Sequence, residues 1–283
     1  MIFRVFDIET IPDLSCWSKG EPTYRLIPEQ ASLMADGPGM QLKSLKLEEV
    51  PQFPPPHAHR VVAISYVDVE CDPTGDTKYR YLRSGTKCLW TRPGTELAMA
   101  DSCEHEMLKG FNAAMDTNPA ICLVSWNGRT FDLPVIALRA LKQGVSCRWY
   151  YSGKNIRYRY TDEGHLDLMD FWSDFGACRP MKLADAAHLI GLPGKLDITG
   201  ASVEAMYLST ADEKVDIVAQ RAHVAKYCLQ DSIQTALLFL RSRHHFGKIT
   251  AAEYNQCLET FAVSTDMAAA MDGSINWTRL RLS

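Results

Sequence analysis

Apolar positions crowd the first residues without clean alternation (Ile2, Phe3, Val5, Phe6, Ile8), the pattern of a strand covered on both faces and therefore central in its sheet. On such a strand Phe3, Val5, Asp7 and Glu9 share one side. A polar stretch containing Gly37-Pro38-Gly39 and Pro54-Pro55-Pro56 follows, and a connection of about 50 residues is too long for a simple loop. The β-branched run Arg60 to Val67 resumes a strand, Asp72-Pro73-Thr74-Gly75 signals a turn, and Tyr79 to Leu82 supplies a third strand. These three are expected to form an antiparallel meander. The pattern then changes to alternation of helices and strands. Leu97 to Met115 has helical spacing, Ala120 to Trp126 reads as a buried strand, and Leu133 to Leu141 reads as a helix with Pro134 in its first turn. His165 to Leu168 reads as a further strand end, Leu183 to Ile190 as a short helix stopped by Gly191, and about Asp216 to Arg241 as a long helix. The whole predicts a mixed α/β sheet, with a tail or docked terminal segment beyond about residue 263.

Three groups of residues stand out against this frame. Asp7 and Glu9, two apart on a strand, project their carboxylates from one face about 7 Å apart along the backbone, and both can grip one cation. The spacing recurs at Asp68-Val69-Glu70, so a solvated strand end is the competing reading. Asn127-Gly128-Arg129-Thr130-Phe131-Asp132 lies between a strand and the following helix, where ligand-binding residues of α/β sheets gather; Asp132 is equally suited to cap that helix. Tyr227 and Asp231 stand at i and i+4 of the long helix, on a second apolar face opposite the Leu229, Ile233, Leu237 and Leu240 stripe. A carboxylate embedded there needs a cation or a basic partner.

Composition narrows the chemistry. The chain has 283 residues, 46% of them hydrophobic, which fits one or two domains with a substantial core. No apolar run approaches the roughly 18 residues of a membrane helix, and an acid at position 7 interrupts any signal peptide, so a cytoplasmic protein is expected. Nine scattered cysteines without a C-x-x-C pair predict buried free thiols and neither disulfides nor a zinc site of usual spacing. A formal net charge of −4 argues against coating nucleic acid by bulk charge, while leaving room for a local basic groove beside an acidic metal site. Hard carboxylates without clustered Cys or His favour Mg²⁺ or Mn²⁺ over structural zinc. Between Arg148 and Tyr160, Arg and Lys interleave with five aromatics; this is either a strand-binding surface using Lys154, Arg157 and Arg159, or a hairpin with a solvated face.

Taken in order, Asp7-x-Glu9, Asn127-x-x-x-Phe131-Asp132 and Tyr227-x-x-x-Asp231 resemble the three exonuclease motifs of the DEDDy class of 3′–5′ exonucleases. Phe6 to Thr10, His165 to Asp170, Gly191-Leu192-Pro193-Gly194-Lys195 and Tyr227-Cys228-x-x-Asp231 are similar to the bacterial predicted 3′–5′ exonucleases related to the proofreading domain of family B DNA polymerases. The histidine form of the class needs His where this chain has Lys226, so the tyrosine form is indicated. The resemblance covers about residues 1–245 and implies an RNase H-like mixed five-stranded sheet flanked by helices, with a long insertion after the first strand at about 13–59; residues 246–283 are then a C-terminal helix and tail docked on the same domain. It implies two Mg²⁺ or Mn²⁺ ions held by Asp7, Glu9, Asp132 and Asp231, with Tyr227 orienting the attacking water and nucleoside 5′-monophosphate as product. It places Thr10, Asn127 and Phe131 beside the 3′ end of single-stranded DNA, with RNA as an alternative substrate and a catalytically inactive nucleic-acid-binding module as the rival from another class.

Overall fold

The computed structural model describes residues 1–17, 20, 24–28, 45–49, 52–118, 121–194 and 200–283. Lys195 of the Gly191–Lys195 motif and Gly37-Pro38-Gly39 lie outside them.

β1 (Ile2–Pro12) is central because neither of its faces can meet water. Phe3 and Val5 enter one core and Phe6 and Ile8 the other. β2 (Tyr24–Pro28) and β3 (Leu45–Glu49) pair with one another in a separate antiparallel ribbon. After a 3₁₀ turn at Pro56–Ala58, β4 (His59–Cys71) pairs antiparallel with β1, and β5 (Tyr79–Cys88) pairs antiparallel with β4. The meander expected from the sequence is therefore present, and its strands extend beyond the apolar runs that announced them.

α1 (Leu97–Thr117) crosses to β6 (Ile121–Ser125), which lies parallel to β1; α2 (Asp132–Lys142) and α3 (Arg148–Ser152) lead to β7 (His165–Asp167), parallel to β6. The sheet order is β5-β4-β1-β6-β7. α4 (Leu168–Trp172), α5 (Leu183–Leu189), α6 (Gly200–Ser209), α7 (Ile217–His245), α8 (Ala251–Ala262), α9 (Thr265–Ala270) and α10 (Trp277–Leu280) complete the chain.

Helices cover both faces. α1 and α2 pack Leu108, Phe111, Leu133 and Ile136 against Phe6, Ile8 and Leu123. On the opposite face α7 buries Ile233, Leu237 and Leu240 against Phe3, Val5 and Val124, and Leu258, Phe261, Met267 and Leu280 of the last three helices join the same core. The outer edge of β5 is closed by α8: Cys257 Sγ accepts the Tyr79 amide at 3.3 Å and Thr260 Oγ1 accepts the Tyr81 amide at 2.9 Å. None of the described helices is long and apolar enough to cross a membrane. The thiols are less uniformly buried than composition suggested, since Cys16 and Cys178 are exposed.

Candidate metal centre

β1 carries two carboxylates on the side that faces α7. Asp7 stands opposite Ser65 and Glu9 opposite Ala63 in the β1–β4 register, and a bulge falls between Glu9 and Thr10, a device that re-aims side chains beside functional sites. Ser65 ties the sheet to the helix. Its hydroxyl donates to the Cys228 carbonyl at 2.7 Å and shares a hydrogen bond with the Ser232 hydroxyl at 2.7 Å. Those bonds set the height of the α7 turn that bears Tyr227, Cys228 and Asp231. α7 begins where the Asp216 side chain accepts the Val218 amide, an ordinary N-cap.

The fourth acid arrives from the parallel half of the sheet. Beyond β6 the chain turns through Asn127, at φ 69°, and Gly128, where a β-carbon would collide with the Ser125 side chain. Asp132 then opens α2 but makes no capping bond; its carboxylate reaches across to accept the Ile8 amide of β1 at 3.2 Å. The loop is held by Asp167, which accepts the Asn127 and Arg129 amides, both at 2.9 Å, while also capping α4. That hub has a plain geometric cause. β7 ends one strand away from β6, so an acid at its last position meets the loop leaving its neighbour.

Burial and mutual repulsion set the electrostatics of the cluster. Burial pushes the Asp7 carboxyl well above its usual range, and the neighbouring Asp132, Glu9 and Asp231 charges push it further. Burial raises Asp132 to about 7. The Tyr227 phenol is driven far up, by burial first and then by the Asp231, Glu9 and Asp7 charges, with a hydrogen bond to Asp231 that keeps its proton on. Oxygen donors converging from one strand and two helices, Asp7 and Glu9 of β1, Asp132 of α2 and Asp231 of α7, suit a hard divalent cation, so the residues present fit the group that the motifs imply. The Asp68-x-Glu70 repeat has the opposite fate: Asp68 is bound by Arg4 at 2.8 Å and Arg83 at 2.9 Å, and Glu70 by Arg80 at 2.7 Å. Guanidinium partners mark the Asp68 and Glu70 pair as structural.

Cys228 belongs to the cluster and sequence reasoning gave it no role. Its Sγ lies 3.6 Å from Asp7 Oδ2, 3.5 Å from the Asp7 carbonyl and 3.2 Å from Ser65 Oγ. Ligand atoms of Asp7, Glu9 and Cys228 all fall within 4.8 Å of one another. Burial and the Asp7 and Glu9 charges push the thiol well above its ordinary value. A second omission is Phe53, whose 75% exposed ring packs on His59 at 4.6 Å and on Phe131 at 5.8 Å. His59 is buried rather than solvated. Its two ring nitrogens meet Thr10 Oγ1 at 3.0 Å and the Pro54 carbonyl at 2.8 Å, and burial lowers its basicity, so it props Thr10 and does not ligate metal. Spacing offered no signal for either residue; only the fold brings residues 53, 59 and 131 together.

The basic and aromatic segment departs from expectation. Residues 148–152 form α3 and turns follow, so no hairpin exists there. Lys154 is not near the acids. It pairs with Glu163 at 3.5 Å and lines an 850 Å³ cavity with Met1 and Ile121, where β1 and β6 begin, some 20 Å along β1 from Asp7 at about 3.3 Å per residue. Arg159 is at the other end of the sheet but is gripped by Asp170, with contacts of 2.8 and 2.5 Å. Arg157 is exposed and stacks over Tyr150 and Tyr151 at 5.7 and 5.3 Å.

The family described as "Predicted 3'-5' exonuclease related to the exonuclease domain of PolB" matches residues 51–272. No curated protein matches the chain. Among solved structures, the family B DNA polymerase of the hyperthermophilic archaeon Pyrobaculum calidifontis is similar at 16% identity and a TM-score of 0.43, over 94% of this chain and 29% of that one. Exonuclease I is similar at 13% identity and a TM-score of 0.36, over 86% of this chain and 44% of that one. The chain thus spans less than half the length of either.

Proposed function

We propose, from the premise that the chain belongs to the family of predicted 3′–5′ exonucleases related to the exonuclease domain of PolB, that it removes nucleoside 5′-monophosphates from the 3′ end of single-stranded DNA by a two-metal mechanism. The observation that carries this reading is the convergence of Asp7, Glu9, Asp132 and Asp231 into one acid cluster, in which burial and the three neighbouring charges push the Asp7 carboxyl well up. Asp7, Glu9 and Asp231 would hold one Mg²⁺ or Mn²⁺ and Asp7 with Asp132 the other. When bound, the two ions supply charge neutralisation at the phosphoryl oxygens and acidify a water.

The protein's own groups do the rest. Tyr227, whose O–H is engaged by Asp231, would hold the water in line by accepting a hydrogen bond from it at the phenol oxygen, and would not act as the base. Thr10, steadied by His59, and Asn127, fixed through its amide on Asp167, flank the position of the terminal nucleotide. Phe131, with the exposed Phe53 beside it, offers a ring on which a base can stack. Arg157 on its tyrosine platform extends this surface; Lys154 is left out of it.

The test is a cleavage assay of 3′-labelled and 5′-labelled DNA and RNA oligonucleotides in Mg²⁺, Mn²⁺ or EDTA. Stepwise shortening from the 3′ end with release of 5′-mononucleotides is expected in either metal and none in EDTA. Asp7→Ala and Asp231→Asn should each abolish it while circular dichroism stays native. Cleavage at wild-type rate by either variant would overturn the ligand assignment, and faster shortening of RNA would change the substrate.

A further inference from the structure

We infer that Cys228 turns this centre into a site for a thiophilic divalent ion of the Zn²⁺ class, bound by Asp7, Glu9 and Cys228 in place of the working ions. The inference rests on the metal-dependent reading above and adds a different cation, a different donor and an inhibitory outcome.

The geometry is that of a nascent tetrahedral site. With Zn–S near 2.3 Å and Zn–O near 2.0 Å, tetrahedral angles separate sulfur and oxygen by about 3.5 Å. Cys228 Sγ and Asp7 Oδ2 are 3.6 Å apart, the spacing such an ion needs, and a Glu9 oxygen lies within 4.8 Å of both, so its side chain must close in by about an ångström to complete the site. Three protein ligands leave the fourth position toward the side on which Asp7 is partly open to solvent. Cys228 is buried in the cluster with Ile11, Val62, Ala63 and Val224, and its sulfur also faces a carboxylate and the Ser65 hydroxyl.

Ligand softness separates the two kinds of ion. Mg²⁺ takes oxygen donors in near-octahedral geometry and Mn²⁺ shares that preference, so neither gains from the thiol. Zn²⁺ gains a sulfur bond and stands above Mn²⁺ in intrinsic affinity for mixed N, O and S sites. On binding, the thiol proton leaves to solvent, an Sγ–metal bond forms, and no electrons are transferred. Asp7 and Glu9 are then committed to a tetrahedral ion and drawn toward the floor of the site, away from Asp132 and Asp231. Zinc would therefore act as a brake on the same residues that manganese activates.

Co²⁺, a spectroscopic stand-in for Zn²⁺, tests this on the full chain. One equivalent should produce a thiolate-to-cobalt charge-transfer band in the near ultraviolet, absent in Cys228→Ser and absent in Asp7→Ala, which keeps all nine thiols. Equilibrium dialysis should show Zn²⁺ binding weakened roughly tenfold or more in Cys228→Ser. A band that survives in Asp7→Ala comes from other cysteines and overturns the inference, as does a wild-type chain that binds Co²⁺ or Zn²⁺ with no band. If Cys228→Ser does not fold, Asp7→Ala decides alone. Nuclease activity in Mn²⁺ without a cobalt band would sink the thiol site and leave the exonuclease reading intact; a band in a chain inert toward every oligonucleotide would do the reverse.

Discussion

Tyr227 is surrounded by acids that all favour its protonated form, and this decides what it can contribute. A phenol so strongly held cannot take a proton near neutrality, but its oxygen, fixed by the O–H it gives to Asp231, can accept from a water. Tyr227→Phe should therefore fold normally and lower the single-turnover rate by roughly tenfold, the loss of one hydrogen bond of about 1–1.5 kcal/mol; an unchanged rate would remove the hydroxyl from the chemistry. The acids were legible in the sequence because a metal site needs several carboxylates at strand and helix spacing, and such residues are conspicuous among apolar neighbours. Asp68 and Glu70 looked the same until their arginines were seen. Cys228 and Phe53 were illegible for a related reason: a thiol on a helix or a phenylalanine after a polar stretch gains meaning only from what the fold sets beside it.

At the scale of elements, the site depends on the height of α7 against the sheet, and Ser65 is the residue that fixes it. Ser65→Ala should cost about 1–2 kcal/mol, read as a fall in thermal midpoint. Tyr227, Cys228 and Asp231 share the loosened turn, so kcat should fall further than that loss of stability explains; a variant with full activity and a lowered midpoint would mean that α7 is held elsewhere. Long, strongly patterned elements were readable in advance, among them β1, β4, α1, α2 and α7. Among the short ones β6, β7 and α5 were readable too, whereas α3 and α6 were not. α3 covers Arg148–Ser152, ahead of the alternating Arg157-Tyr158-Arg159-Tyr160 for which a hairpin was the competing reading, and its helix is held because Trp149 is buried against Phe111 and its indole donates to Asn112 at 2.6 Å. α6 carried no periodic signal that distinguished it, and it is held by Val203 beneath Ile11 and Trp90.

For the molecule as a whole, stability should answer to both metal and pH. A cation that binds the folded acid cluster stabilises by about 2.7 kcal/mol at a hundredfold excess over its Kd, so millimolar Mg²⁺ or Mn²⁺ should raise the melting temperature by roughly 5–10 °C, with no rise in Asp7→Ala. His165 gives the pH dependence another source, remote from the cluster. Burial and the Arg129 charge lower its pKa to about 3, while the unfolded chain titrates near the ordinary 6.5. The unfolded state therefore binds the proton first, and stability falls as pH drops from about 6.5 toward 3. The raised Asp7 and Asp132 carboxyls act in the opposite sense, since the folded state takes their protons first and gains stability as pH falls. The His165 contribution is therefore read as a difference: between pH 7 and 5 the wild type should lose melting temperature relative to His165→Gln, and parallel curves would assign no part of the pH dependence to His165. The side chains with which α8 meets β5 have a further consequence. An unpaired strand edge is a template on which another chain can lay a strand, and proteins that leave one bare tend to polymerise. Cys257 and Thr260 occupy the Tyr79 and Tyr81 amides that such a strand would need. α8 thus blocks the first part of the β5 edge, at Tyr79 and Tyr81, against an added strand, and loosening it is expected to be felt first as insolubility in a protein whose acid cluster was still whole.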